Sequence, residues 1–148
     1  PSRVLNELRR VLRKGGQVVI SEVLNSSFFL DPYSPNVWKY WMSFNDYQYE
    51  IKGDPFVGAK LGNLLMSTGF KNIETKVKTF HYDNRMPELR KNMIEYWTDL
   101  LLSGADQLIK VGKVTKEVVE KAKEELEHVA SDPNAVFFYS YIQARAEV

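Results

Sequence analysis

The chain has 148 residues, 44% hydrophobic and 26% charged, the make-up of a globular protein long enough to bury a core as one domain. A net charge of +1 gives no electrostatic reason to expect nucleic acid or an anionic membrane as partner. There is no cysteine, which excludes disulfides and thiolate metal sites, and no apolar run approaches the roughly 20 residues of a membrane helix, so a cytoplasmic protein is expected.

Taken in chain order, Val4, Leu5, Leu8, Val11 and Leu12 fall on one helical face. Ser2 is a candidate N-cap, the cations Arg9, Arg10, Arg13 and Lys14 suit the C-terminal end, and Gly15 and Gly16 supply a left-handed stop. The segment QVVISEV that follows is β-branched and apolar in both registers, which predicts an interior parallel strand buried on both faces. LNSSFFLDPYSPN reads as a loop, and Ser34-Pro35 starts a helix to about Tyr49. That helix carries Trp38, Tyr40, Trp41, Phe44, Tyr47 and Tyr49, rings in nearly every direction; core packing accounts for Trp41 and Phe44, and residues 32–52 as a whole suit a lid over an apolar ligand.

Asp54 with Pro55 opens another helix, Leu61, Leu64 and Leu65 inward, that ends at Gly69. KNIETKVKTFHY alternates as a strand near a sheet edge, with Ile73, Val77 and His81 on one face and lysines on the other. Two helices follow within residues 86–131. The first, about Pro87 to Leu102, has Leu89, Met93, Trp97, Leu100 and Leu101 as its stripe; the second, about Thr115 to Ala130, turns Val118, Ala122, Leu126 and Val129 inward. After the turn at Asp132–Asn134, AVFFYSYIQARAEV reads as a long central strand.

Few local motifs carry chemistry. The glycine pair follows a helix and precedes a strand, the reverse of a phosphate cradle, and KVGKVTK lacks Walker spacing. His128 lies among glutamates on a charged face and is expected to be solvated. His81 is either a half-buried structural histidine or part of a substrate pocket. No histidine stands at metal-ligand spacing from a carboxylate, and no G-x-S-x-G elbow is present.

LNELRRVLRKGGQVVISE resembles the segment around the fifth strand of class I, Rossmann-like methyltransferases that use S-adenosylmethionine. GDPFVGAKLGNLLMSTGFKNIE is similar to the following helix and sixth strand of small-molecule members, and AVFFYSYIQARAE to the seventh strand, which runs antiparallel between the fifth and sixth. The resemblance implies an α/β fold over residues 1–148 as a single domain. It is a partial Rossmann-like sheet of family strands five, seven and six, with flanking helices and a helical insertion at 86–131. The glycine-rich loop and acidic strand end that hold the cofactor in the family have no counterpart here; Gly58 and Gly62 offer only a G-x-x-x-G spacing inside a predicted helix. The implied protein is therefore the C-terminal half of a methyltransferase, with S-adenosylmethionine bound by the full-length parent and no cofactor expected for this chain.

Two function classes fit. In the first, the chain is the substrate-side part of an enzyme methylating a small molecule by direct displacement at a sulfonium methyl, where the protein aligns the acceptor and accommodates its proton. Glu22, Asn25, Tyr33, Trp38, Tyr47 and His81 are the candidate acceptor-side residues, with no catalytic residue assigned. In the second, the chain is a non-catalytic, methyltransferase-derived binding or dimerisation module. In either case the strand Val18 to Val23 lacks its family neighbour, so a homodimer or an element swap through that edge is expected.

Overall fold

The computed structural model describes every residue from Pro1 to Val148. In chain order the elements are α1 (Ser2–Val11), β1 (Gln17–Val23), β2 (Phe29–Asp31), α2 (Pro35–Glu50), α3 (Leu61–Ser67), β3 (Lys71–Tyr82), α4 (Pro87–Leu102), α5 (Ala105–Lys110), α6 (Lys116–Ser131) and β4 (Val136–Glu147). Short 3-10 turns occupy Asn25–Ser27 and Val57–Lys60. The chain is thus α/β with a small sheet, and β4 is its hub. β1 pairs antiparallel with residues 141–147 of β4, β2 antiparallel with residues 136–138, and β3 pairs with β4 as well. No helix is long and apolar enough to cross a membrane.

The residues divide into two compact units. Unit 1 comprises Pro1–Ser27, Pro55–Thr79 and Ser140–Val148; unit 2 comprises Phe28–Asp54 and Phe80–Tyr139. The core of unit 1 is mostly aliphatic: Leu5 of α1, Val18 of β1, Leu61 and Leu65 of α3, Phe70, and Ala144 and Ala146 of β4, with Leu8, Ile20 and Ile73 packed around them. Small alanines on β4 let the helices lie close to the strand. The core of unit 2 is aromatic. Phe28 stacks on Trp97 with ring centroids 5.5 Å apart, Trp41 lies 5.0 Å from Phe28, and Trp97 lies 4.6 Å from Tyr139. Helix α2 packs on α6 and α5, and α4 packs on α6.

Several expectations need correction. α1 begins at Ser2 rather than being capped by it, and leaves helical geometry at Leu12 (ψ 139°), before the glycines. Gly15 (φ 74°) serves the following turn instead, where the Gly16 N–H donates to the Arg13 carbonyl at 2.8 Å. β1 is neither parallel nor buried on both faces. Its one strand partner is antiparallel, and Val19 is 63% exposed while Val18 on the other face is buried. β-branched composition reports strand, whereas burial of the second face depends on a layer that these residues do not place there.

Asp54 does not cap a helix, because the 3-10 turn at Val57–Lys60 intervenes before α3. The loop reading of LNSSFFLDPYSPN missed β2, and α5 also went unread. In α4 the inward residues are Arg90, Ile94, Trp97 and Leu101, while Leu89 and Leu100 are exposed. That face runs one position on from the leucine stripe, because a buried arginine occupies a place that a hydrophobicity count leaves to solvent. The stripe of α6, the span of α2 and the span of β3 are as expected.

Candidate functional site

In unit 1, the carboxyl end of β1 gathers polar groups. Glu22 is half-buried and lies opposite Ile142 of β4. Asn25 is buried in the turn that follows, its backbone N–H donating to the Pro55 carbonyl at 3.0 Å. The Ser27 hydroxyl reaches the carbonyls of Leu24 at 2.7 Å and Ser140 at 2.9 Å, and accepts from the Ser140 N–H at 2.7 Å. The Ser140 hydroxyl shares a hydrogen bond with the Thr79 hydroxyl at 2.9 Å. This row satisfies buried polar atoms that a strand end otherwise leaves orphaned.

Gly58 explains how the row is covered. A Cβ on it would lie 2.7 Å from the carbonyl oxygens of both Glu22 and Val23, so only glycine lets the 3-10 turn lie on the end of β1. The sequence offered a signal for this in the glycine itself, which reads as a helix residue by spacing alone.

In unit 2 the other four candidates each engage a different neighbour. Tyr33 is 74% exposed and lines an open cleft of about 370 Å³ with Ser34, Asn36, Lys121, Glu125 and His128. Trp38 lies 5.9 Å from Phe28, on the flank of the aromatic core. The Tyr47 hydroxyl accepts from the Gln107 amide at 2.9 Å. His81 meets Phe138 edge-on at 5.8 Å, and its Nε2 is 4.0 Å from an Asp83 oxygen. The His81 side chain is half exposed and Val77 on the same strand face is 65% exposed, whereas Ile73 at the start of that face packs on the core of unit 1. Asp83 is held mainly by the Arg85 side chain at 2.7–3.1 Å, and also by the Arg85 backbone N–H, which pulls its carboxyl down to about 2.

The rings of α2 point in many directions because the helix has neighbours on several sides. Tyr40 and Trp41 are buried, and the Tyr40 hydroxyl donates to the Leu101 carbonyl at the end of α4. Burial pushes that phenol up to about 12. Two further residues escaped sequence reading. The Glu125 carboxylate accepts from the N–H groups of Asn36 (2.8 Å) and Val37 (2.9 Å), capping α2 from α6, while the Ser34 hydroxyl turns back to Pro32. Buried Arg90 donates to the carbonyls of Asp132, Pro133 and Ala135 at 2.8–3.1 Å and so fixes the turn before β4.

Three glycines meet different neighbours. Gly16 is closed against the Arg13 carbonyl, Gly58 against β1, and Gly62 faces Thr75.

No family model matches the chain, and no curated protein matches it. Among solved structures it is similar to phosphoethanolamine N-methyltransferase 2 of Haemonchus contortus, in complex with phosphomonomethylethanolamine and S-adenosylhomocysteine. The identity is 18% and the TM-score 0.40; the match covers 99% of this chain and 29% of that one. The chain therefore spans less than a third of that protein's length.

Proposed function

We propose that residues 1–148 are the C-terminal, substrate-side part of an S-adenosylmethionine-dependent methyltransferase that acts on a small molecule. The observation that carries this reading is the position of β4. The last strand runs antiparallel to β1 and pairs with β3 too, as the seventh strand of the resembling family does with the fifth and sixth. The approach to each strand supports it: α1 leads through a basic turn into β1, and α3 leads through Gly69 (φ 84°) into β3.

In this reading the work of the chain is on the acceptor side. The candidate residues are Glu22 and Asn25 at the carboxyl end of β1 in unit 1 and, separately, Tyr33, Trp38, Tyr47 and His81 in unit 2. Their task is alignment, since direct displacement gains most from holding the reacting atoms in line. The cofactor is held by residues beyond these 148, and the chain alone is inactive. The partner is the methyl acceptor, not nucleic acid or a membrane.

Methyl transfer by the product of the whole gene tests this directly. Labelled methyl from S-adenosylmethionine should reach a small-molecule acceptor, and Trp38→Ala should lower kcat/KM about 10-fold or more by loosening alignment. A folded whole-gene product that neither binds the cofactor nor transfers a methyl group would replace this reading with the non-catalytic binding module.

A further inference from the structure

We propose that the outward face of α4 is a docking surface for a cationic amphipathic helix of a partner protein. The inference rests on that helix and does not depend on methyl transfer.

Three rows run along α4, each stepping by four, three and four residues, the spacing that keeps side chains on one side of a helix. Arg90, Ile94, Trp97 and Leu101 form the buried row. Leu89, Met93, Tyr96 and Leu100 each precede one of them, and their row turns outward. Leu89 is 55% exposed, Tyr96 61% and Leu100 51%, with Met93 half-buried between them. Glu88, Asn92, Glu95 and Asp99 precede those in turn, and all four are exposed. Three members of the apolar stripe legible in the sequence, Leu89, Met93 and Leu100, thus belong to a row that unit 2 leaves open.

α6 makes the contrast. It has the same length as α4, 16 residues, and every residue it exposes is charged or polar. Apolar residues scattered singly over a surface are ordinary, but two leucines, a methionine and a tyrosine in register on one face make a seam. A second helix packing alongside meets residues at this spacing. Methionine and tyrosine suit such a surface, the one by its adaptable stem and the other by a ring with a polar tip. The seam lies in the helical insertion, to which the methyltransferase reading assigns no neighbour.

Charge selects the occupant. The row beside the seam carries three carboxylates. Those of Glu88 and Asp99 have no ion-pair partner, and Glu95 has only the exposed Lys91 at 4.0 Å. The same three line an open cleft of about 580 Å³ between α4 and α6, with Leu126, Glu127 and Ala130 beside them. Lysine and arginine side chains fit that combination, their methylenes along the apolar lining and their charged heads at the carboxylates. A second copy of α4 in the seam would set carboxylates against carboxylates, and an anionic membrane would be repelled.

Fluorescence anisotropy with the product of the whole gene tests the proposal. The probe is a labelled helix-forming peptide of about three heptads, with leucine at a and d and lysine at e and g; its match carries glutamate in place of lysine. The lysine peptide should bind saturably, and the glutamate peptide at least ~10-fold more weakly. Tyr96→Ser and Leu100→Ser should each weaken binding of the lysine peptide at least ~10-fold with circular dichroism unchanged, since both side chains are exposed. Asp99→Asn should flatten the dependence of that binding on salt. Met66→Ser, at an exposed apolar residue of α3 in unit 1, should change nothing. Equal affinity for the two peptides, or binding of the lysine peptide that the α4 substitutions leave unchanged, would overturn the proposal. So would no binding at all, the result if another part of the gene product already covers the seam.

Discussion

The two units solve the same problem of closing a small core in different ways. Unit 2 is rich in rings and seals its ends with side chains: Glu125 caps α2, the Tyr40 hydroxyl ties α2 to the end of α4, and Arg90 holds the turn before β4. Unit 1 is aliphatic, its backbone is satisfied mainly by the β1–β4 ladder, and it leaves one side of β1 unpaired. The contrast shows where each unit is vulnerable. Unit 2 depends on a few side-chain contacts between distant residues, while unit 1 depends on aliphatic packing and on the ladder between β1 and β4.

Substitutions in unit 2 break the comparison most sharply. Trp97→Ala should cost about 3–5 kcal/mol in urea unfolding, because Trp97 touches Phe28, Trp41, Phe137 and Tyr139 and little can collapse into its space. A loss under 1 kcal/mol would mean that the aromatic cluster is not the core of its unit. Arg90→Met keeps the aliphatic stem and orphans three carbonyls, for a loss of about 2–3 kcal/mol by the same measurement. Glu125→Ala uncovers the start of α2 and should cost about 1–2 kcal/mol. Glu124→Ala, one residue away and exposed, is the matched control and should be near neutral.

The smallest effect is a pH dependence at Tyr40. Its phenol is raised from 10.0 to about 12 by burial, so the fold favours the neutral form. That contribution is complete below pH 10 and lost as pH rises toward 12, because the unfolded chain ionises first. Tyr40→Phe should flatten this part of the stability profile, read as the midpoint of urea unfolding against pH. An unchanged alkaline slope would place the titrating group elsewhere.

Much of this was legible in the sequence where periodicity and burial coincide. α6 shows the match most clearly, since Val118, Ala122, Leu126 and Val129 are the residues its heptad-like spacing selects and the residues it buries. β3 also has the bounds its alternation implies. Reading failed where a contact distant in sequence decides. The inward face of α4 includes Arg90 because three carbonyls wait for it some forty residues later, and α2 is capped by a glutamate from α6 rather than by its own Ser34. β2 is three residues long and exists as a strand only because β4 lies beside it. The candidate site divides in the same way: Glu22 and Asn25 stand at a strand end that the sequence marks plainly, whereas the role of Gly58 in shaping it depends on a close approach that spacing does not reveal.

The decisive measurement is calorimetric titration of S-adenosylmethionine into two samples, the product of the whole gene and the 148-residue chain. The account predicts saturable one-to-one binding by the first and no heat from the second, because the proposed reading puts the acceptor side within these residues and the cofactor site outside them. Silence from the whole-gene product would contradict it, and so would equal affinity in both samples.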